Sequence, residues 1–360
     1  MKKKVLEIVE SFGGGVYTMI NDLCNGLSED FDIVIAYGRR DETPINFNEN
    51  FNKNIRFIEV KNFTRKIDLE KDFKALKEIK KIIHDEKPNI IHLHSSKAGV
   101  LGRLAASGKK YRMLYNPHGF SFLKQDDSKL KRFCYKTIEK MMSIINHKCI
   151  IVGCSQGEYE EAKKISKNSV CINNGINIEK LEKEIKNLPE HEIDFNNLKI
   201  CTIGRIGYQK NPKFFNEIAQ RFPSNKFTWI GDGELRNKLT SPNITVTGWK
   251  NKKEVLEELN NNDIFILTSL WEGLPISLLE AGYMKKLCMV SDVIGNRDVI
   301  KNNINGYIFN NYNKITNIIK NIKEEQYKEL TNKLYNEIKE NYNLECMTKK
   351  YKDIYEELIR

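Results

Sequence analysis

Two loops in the second half of the chain carry charged side chains at spacings suited to chemistry. In Gly204-Arg205-Ile206-Gly207-Tyr208-Gln209-Lys210-Asn211-Pro212, an arginine and a lysine share one short loop after an apolar run, and Pro212 suits the first position of a helix. In Thr268-Ser269-Leu270-Trp271-Glu272-Gly273-Leu274-Pro275-Ile276-Ser277-Leu278-Leu279-Glu280, two carboxylates are separated by seven residues. Pro275 fits the first helical turn, so Glu272 lies in the loop before the helix and Glu280 about 7–8 Å further along its axis, at ~1.5 Å per residue. An acid, a helix N-terminus and a second acid then face one crevice.

The first half offers a glycine loop and several histidines. Ser11-Phe12-Gly13-Gly14-Gly15-Val16-Tyr17-Thr18 lies between an apolar run and a helical pattern. Backbone N–H groups at such a helix start form an anion site. The loop supplies the first two glycines of a dinucleotide fingerprint, with Thr18 where the third is needed. Arg39 and Arg40 after the second strand suit a 2′-phosphate, and Tyr159 and Lys163 have the Tyr-x-x-x-Lys spacing, so an NADP oxidoreductase is one reading. His118 falls in a loop after a strand. His92 and His94 alternate on a strand and point to one face, either as a metal pair, for which the sequence suggests no third ligand, or to orient that loop. Asp30 and Asp32 have the Asp-x-Asp spacing of metal-dependent transferases, but at a strand entry, the wrong end for a ligand.

These residues are positioned by short apolar runs that alternate with helical patterns along the whole chain, which predicts parallel sheets covered by helices. In the first half, strands are expected at Val5–Val9, Ile33–Ala36, Arg56–Val60, Ile90–His94, Arg112–Asn116, Cys149–Gly153 and Val170–Ile172. In the second they are expected at Lys199–Ile203, Phe227–Ile230, Ile244–Thr247, Ile264–Leu267 and Cys288–Val290. Helices are expected at Glu234–Leu239 and across Ile322–Lys339, among others, and the poorly patterned Asn173–Asn197 reads as a hinge. The fold class is therefore α/β, with two doubly wound, Rossmann-like domains and a ligand in the crevice at the strands' carboxyl ends. The domains are 1–175 and 176–340, followed by a final helix within 341–360 that packs back toward the first domain.

Composition narrows the partners. The 360 residues carry a net charge of +11. Residues 1–175 hold 31 Lys and Arg against 22 Asp and Glu, so most of the excess sits in the first half. Such a basic half suits an anionic partner. No apolar run approaches the ~20 residues of a membrane span. The start, MKKKVLEIVE, reads as a strand and not a signal peptide, because Glu7 and Glu10 interrupt it. Eight cysteines without a Cys-x-x-Cys pair suit a reducing, cytoplasmic setting and argue against a metal or disulfide framework.

Taken in order, these motifs resemble the family 4 retaining glycosyltransferases of the GT-B fold. The resemblance runs through the glycine loop, "IIHLHSSKAGVLGRLAA" at Ile90–Ala106, "NPHGFSF" at Asn116–Phe122, "NNGIN" at Asn173–Asn177, "GRIGYQKNP", "GDGEL" at Gly231–Leu235, "TGW" at Thr247–Trp249, and the paired glutamates. The Ser-Ser-Lys and His-Gly-Phe stretches most resemble enzymes of bacterial capsule, O-antigen and exopolysaccharide assembly.

The resemblance implies two domains facing across a cleft, and a sugar moved from a nucleotide donor, most often UDP-linked, to a saccharide acceptor carried on undecaprenyl diphosphate. Charge growing on the departing diphosphate has to be stabilised by a metal or by fixed donors. The family uses fixed donors, so no metal and no cofactor is expected. Arg205 and Lys210 clamp the diphosphate, with backbone N–H groups near Gly14 and Gly15. Glu280 takes the ribose hydroxyls, since a carboxylate accepts two hydrogen bonds from a vicinal diol. Glu272 binds the donor sugar, helped by N–H groups of Gly273, Leu274 and Ile276, and His118 contacts that sugar near the reacting carbon. Gly231 and Trp249 line the nucleotide pocket, with Trp249 near the base or, alternatively, in the core. Attack is from the front face within an ion pair; a nucleophilic Glu272 is the alternative.

The stretch Ser128–Asn146 is an amphipathic helix with Arg132, Lys136 and Lys140 on one side and Leu130, Phe133, Ile138 and Met141 on another. It reads either as a core helix with a solvated basic face or as contact with an anionic inner membrane that carries the acceptor. Nucleic acid is not an expected partner. The rival functions are a UDP-sugar epimerase, whose family lacks this context for the paired glutamates, and a non-catalytic subunit of a polysaccharide assembly complex.

Overall fold

A computed structural model describes residues 2–108 and 111–360. The backbone divides into two compact units, Met1–Asn174 with Leu344–Arg360, and Gly175–Asn343. In the first unit, β1 (Lys3–Val9), β2 (Phe31–Tyr37), β3 (Arg56–Glu59), β4 (Ile90–His94), β5 (Arg112–Asn116), β6 (Ile150–Gly153) and β7 (Ser169–Cys171) form one parallel sheet in the order β3-β2-β1-β4-β5-β6-β7. The run Val5–Val9 is buried on both faces, as a central parallel strand requires. Register sets Glu7 opposite His92 and Val9 opposite His94. Met19, Leu23 and Leu27 of helix Gly14–Leu27 share a core with Met347, Tyr351 and Tyr355 of helix Leu344–Ile359. Asp68, Ser95, Ser128 and Ser155 each cap a helix by accepting a backbone N–H.

The second unit repeats the plan with β8 (Ile200–Ile203), β9 (Phe227–Ile230), β10 (Ile244–Val246), β11 (Ile264–Leu267), β12 (Leu287–Ser291) and β13 (Tyr307–Phe309), ordered β10-β9-β8-β11-β12-β13. Phe215 packs edge-on against Phe227 and Trp229 in its core. In both sheets the order reverses once, between β1 and β4 and between β8 and β11. Those are the points where a doubly wound sheet opens a crevice at the strands' carboxyl ends.

Several elements differ from the sequence expectation. The hinge stretch contains helix Ile178–Ile185. The helix expected across Ile322–Lys339 is present as Glu324–Asn341, and a further helix that was not expected, Tyr312–Asn321, precedes it. Glu234–Leu239 forms only a short 3-10 turn at Arg236–Lys238, because its backbone bonds outward: Leu235 N–H donates to Ile206 O at 3.0 Å.

The basic helix, Lys129–Ile145, is not a core helix with its apolar residues inside. Leu130 is 73% and Phe133 68% exposed, and Ile138, Met141, Ile144 and Ile145 are exposed as well. The helix is seated instead through Met142 and the buried Glu139, which pairs with Arg103 at 2.6 Å and accepts from Tyr115 Oη at 2.7 Å. These contacts, with Arg132 Nε donating to Phe122 O at 2.8 Å and Ser143 Oγ to Ile165 O at 3.0 Å, hold the helix with its apolar stripe outward. Among the described residues, no helix is long and apolar enough to cross a membrane.

Candidate functional site

In the second unit, the two charged loops follow β8 and β11, the strands that flank its reversal of order. Thr268 Oγ1 donates to Lys210 O at 2.6 Å and Leu270 N–H to Gln209 O at 2.8 Å, so the loops are tied edge to edge. Asn211, at φ +51°, caps helix Pro212–Arg221 through its side chain. Lys210 Nζ lies 2.7 Å from Glu272 Oε1, and Gln209 Nε2 reaches Glu272 Oε2 at 3.3 Å. Glu272 is only 6% exposed, so these partners take the place of water around its carboxylate.

Glu280 is 5% exposed and sits on the buried helix Ile276–Tyr283, which excludes a solvated face. Pro275 stands just before this helix as its N-cap and brings no side-chain acceptor. Leu274 and Ile276 are buried beside it. Lys252, at the start of helix Lys252–Asn260, pairs with Glu280. Arg205 makes a forked pair with Glu234, at 2.5 and 3.0 Å, which holds Glu234 below its ordinary carboxyl range against the opposing effect of burial.

The "GDGEL" loop packs close against the loop after β8. Gly231 has φ +139°, and a Cβ there would lie 2.3 Å from Gly204 O, so only glycine fits. Trp249 is 48% exposed beside Gly248, which bridges Gly231, so it is not a core aromatic.

In the first unit, β1, β4 and β5 bring together a set of side chains that the sequence only half reveals. His94 Nδ1 lies 3.0 Å from His118 Nε2, and His94 Nε2 lies 2.7 Å from Glu7 Oε2. His92 pairs with Asn116 Oδ1 at 2.7 Å and with Tyr355 Oη at 2.6 Å, while Tyr355 Oη donates to Glu7 Oε1 at 3.0 Å and Asn116 Nδ2 to Tyr351 Oη at 2.7 Å. Burial works to raise the Glu7 carboxyl, but the two imidazoles beside it hold it well below its usual range. Burial and the neighbouring His92 push His94 down to about 4, and burial with both histidines pushes His118 well below its ordinary value.

His118 has φ +53°, unusual for a residue other than glycine. Buried Glu158 holds the turn by accepting the Gly119 N–H at 2.6 Å and the Cys154 N–H at 2.9 Å. Glu7 also corrects the expectation that His92 and His94 lack a third partner: on distance alone the three could hold a metal. Each of the three is, however, already committed to hydrogen bonds within the cluster.

The glycine loop opens helix Gly14–Leu27, with Gly13 as N-cap. Gly14 has φ +52° and open space around it, so valine there is strained although nothing blocks it; Gly15 follows within the first turn. Arg40, a candidate for a 2′-phosphate, is bound to Glu10 and donates to Phe63 O at 3.2 Å. Lys163 lies over the ring of Tyr159, 4.8 Å from its centroid, one helical turn away. Asp30 pairs with Lys352 at 2.6 Å at the entry of β2. Glu7 and Lys252 carry no sequence signal as site residues, because each is recruited by a neighbouring strand or helix and not by a motif; Gln209 lies within the GRIGYQKNP stretch, but its contact with Glu272 comes from the facing loop.

Two family models match the chain: "Glycosyltransferase Family 4" over residues 13–180 and "Glycosyl transferases group 1" over residues 183–342. The chain is 31% identical over 339 residues to UDP-Gal:alpha-D-GlcNAc-diphosphoundecaprenol alpha-1,3-galactosyltransferase of Escherichia coli, covering 85% of this chain and 84% of that one. It is 27% identical over 243 residues to N,N'-diacetylbacillosaminyl-diphospho-undecaprenol alpha-1,3-N-acetylgalactosaminyltransferase of Campylobacter jejuni, covering 63% and 65%. Among solved structures it is similar in fold to sucrose-phosphate synthase from Thermosynechococcus elongatus, with a TM-score of 0.81 at 15% identity over 99% of both chains. It is also similar to Anabaena HepE in complex with UDP and glucose, with a TM-score of 0.78 at 13% identity over 99% and 100%.

Proposed function

Because the chain belongs to the family 4 glycosyltransferases of the GT-B fold, we propose that it moves a hexose from a UDP-sugar to a saccharide carried on undecaprenyl diphosphate, with retention at the anomeric carbon, in the assembly of a bacterial surface polysaccharide. The observation that carries this reading is the set in the second unit: Arg205 and the Lys210–Glu272 pair on the tied loops, with buried Glu280 beyond them. Breaking a glycosidic bond to a diphosphate throws negative charge onto oxygen. Preorganised cations stabilise that charge without having to reorganise.

Each group has a role in this reading. Arg205 and Lys210 take the diphosphate, and Glu280 takes the ribose diol, exchanging Lys252 for hydroxyl donors. Glu272 accepts from donor-sugar hydroxyls while Lys210 holds it aimed. Gly231 lets the backbone approach the nucleotide, and exposed Trp249 offers a ring to the base. In the first unit, the Gly14–Gly15 helix start and His118 serve the substrates, His118 by a hydrogen bond to a hydroxyl. Attack from the front face as the bond breaks accounts for retention without a covalent intermediate, and the cations take the place of a metal.

The relatives named for diphosphoundecaprenol acceptors support a lipid-linked acceptor here. The outward apolar stripe of helix Lys129–Ile145, flanked by Lys129, Lys131, Lys136 and Lys140, supports docking of the first unit on an anionic inner membrane from the cytoplasmic side.

The deciding experiment assays a panel of nucleotide sugars for transfer to an undecaprenyl-diphosphate saccharide with EDTA present. Transfer from a UDP-sugar with the α configuration kept supports the proposal. Loss of all activity in EDTA, or an inverted product, overturns the mechanism.

A further inference from the structure

The buried cluster around His94 has a direction. Glu7 is fully buried, and its carboxylate can only accept hydrogen bonds. The 2.7 Å contact between His94 Nε2 and Glu7 Oε2 therefore places a proton on His94 Nε2. Burial keeps the His94 ring neutral, down to about pH 4, so its Nδ1 carries the lone pair. That lone pair faces His118 Nε2 at 3.0 Å. The contact is a hydrogen bond only if His118 Nε2 carries the proton. His118 is itself held neutral, chiefly by burial, so the lone pair of its ring falls on Nδ1. Among the described residues no partner takes that atom.

We propose that Glu7, acting through His94, fixes the tautomer of His118, so that His118 presents Nδ1 as a hydrogen-bond acceptor and never as a donor. Glu7 and His94 are positioning residues. That the group donating to His118 Nδ1 is a substrate hydroxyl rests on the function proposed above; the tautomer itself does not. A hydroxyl meeting this ring must donate its proton to it, which makes His118 select for a free hydroxyl and against an ether or ester at that position. The same chain explains two oddities of the fold. A charged residue sits in the middle of the central strand β1, and the C-terminal helix sends Tyr355 across to Glu7. The tyrosine satisfies Glu7 Oε1, while Oε2 faces His94 Nε2 at 2.7 Å, closer than His92 Nδ1 at 3.1 Å, and so orients His94. The His118 backbone, at φ +53°, is clamped by Glu158 through Gly119, so the ring meets His94 at one angle, nearly parallel at 16°.

The test needs no substrate. The chain has six histidines, and ring-15N labelling with a long-range 15N–1H correlation spectrum at neutral pH separates protonated from unprotonated ring nitrogens. His118→Gln and His94→Gln assign the two sets of signals. The expected result is Nε2–H with unprotonated Nδ1 for both rings. A protonated Nδ1 on His118, an imidazolium at neutral pH, or a metal-bound His94 Nε2 would each overturn the proposal.

Glu7→Gln then tests causation. An amide can donate to His94 or accept from it, so it no longer imposes one tautomer, and the His118 nitrogens are expected to move to averaged positions. Wild-type positions in that variant would refute the relay. Tyr355→Phe controls for general loosening: it keeps the Glu7–His94 contact and is expected to leave the His118 signals in place. Signals that shift as far as in Glu7→Gln would count against Glu7. If the free-protein tautomer is as expected but His118→Gln leaves turnover intact, the assignment of His118 to substrate fails and the relay stands.

Discussion

Lys210 Nζ sits 2.7 Å from Glu272 Oε1, so the loop after β8 and the loop after β11 meet in an ion pair between two largely buried groups. The pair has two consequences that a double variant separates. Lys210→Met removes a preorganised cation and is expected to lower kcat about 10²–10³-fold, roughly 3–4 kcal/mol. It also strands a buried carboxylate, which costs about 3–5 kcal/mol of stability, with Gln209 keeping the loss near the lower end. In Lys210→Met with Glu272→Gln, the stranded charge is gone. Urea unfolding should recover most of the stability, while single-turnover transfer should stay as low as in Lys210→Met. Recovered turnover would show that the pair is structural.

Glu280 should act on donor affinity more than on turnover. It is buried, paired with Lys252, and assigned to a part of the donor remote from the bond that breaks. Hydrogen bonds to charged groups contribute about 1.5–3 kcal/mol each. Glu280→Gln is therefore expected to weaken UDP binding by about tenfold or more in calorimetric titration, with a smaller change in kcat at saturating donor. An unchanged UDP affinity would place the ribose elsewhere.

The parallel sheets were legible because their strands are short, nearly continuous apolar runs, and runs such as Val5–Val9 and Ile264–Leu267 match the observed strands within a residue or two. β13 (Tyr307–Phe309) and helix Asn296–Val299 were not, being too short to show a period. The charged loops were legible because glycine, proline and paired charges stand close together in the chain. Glu7 was not: in sequence it is one polar residue in an apolar strand, and its meaning comes from register with His92 and from Tyr355, 348 positions away. Helix Lys129–Ile145 shows the converse. Its amphipathic pattern was plain, but which face packs depended on Arg103 and Tyr115 capturing Glu139, a contact no periodicity encodes.

That helix separates two kinds of substitution. Phe133→Glu with Ile144→Glu changes exposed residues and should shift stability by no more than about 0.5 kcal/mol per site. The pair should nevertheless abolish sedimentation with anionic liposomes, and Lys136→Glu with Lys140→Glu should remove its salt sensitivity. Glu139→Ala is expected to do the reverse in solution. It leaves Arg103 buried without its partner and should cost about 3–5 kcal/mol. Liposome binding that is indifferent to all four surface changes would remove membrane docking as the role of this face.

The buried histidine cluster predicts acid lability with a defined window. His94 is held at about 4 in the native state, against 6.5 ordinarily. Between these values the unfolded chain binds a proton that the native ring refuses. Stability from this group is therefore complete above pH 6.5 and lost as pH falls toward 4. A shift of this size corresponds to roughly 3 kcal/mol. The low-held Glu7 adds to the loss once the unfolded carboxyl takes up its proton, below its ordinary value of 4.5. The urea midpoint of the wild type should accordingly drop between pH 6.5 and 4.5. In His94→Gln the midpoint should start lower at pH 7 and fall less over the same interval, because glutamine has no proton to take up. Parallel declines in the two proteins would mean that His94 is not the group the acid reaches.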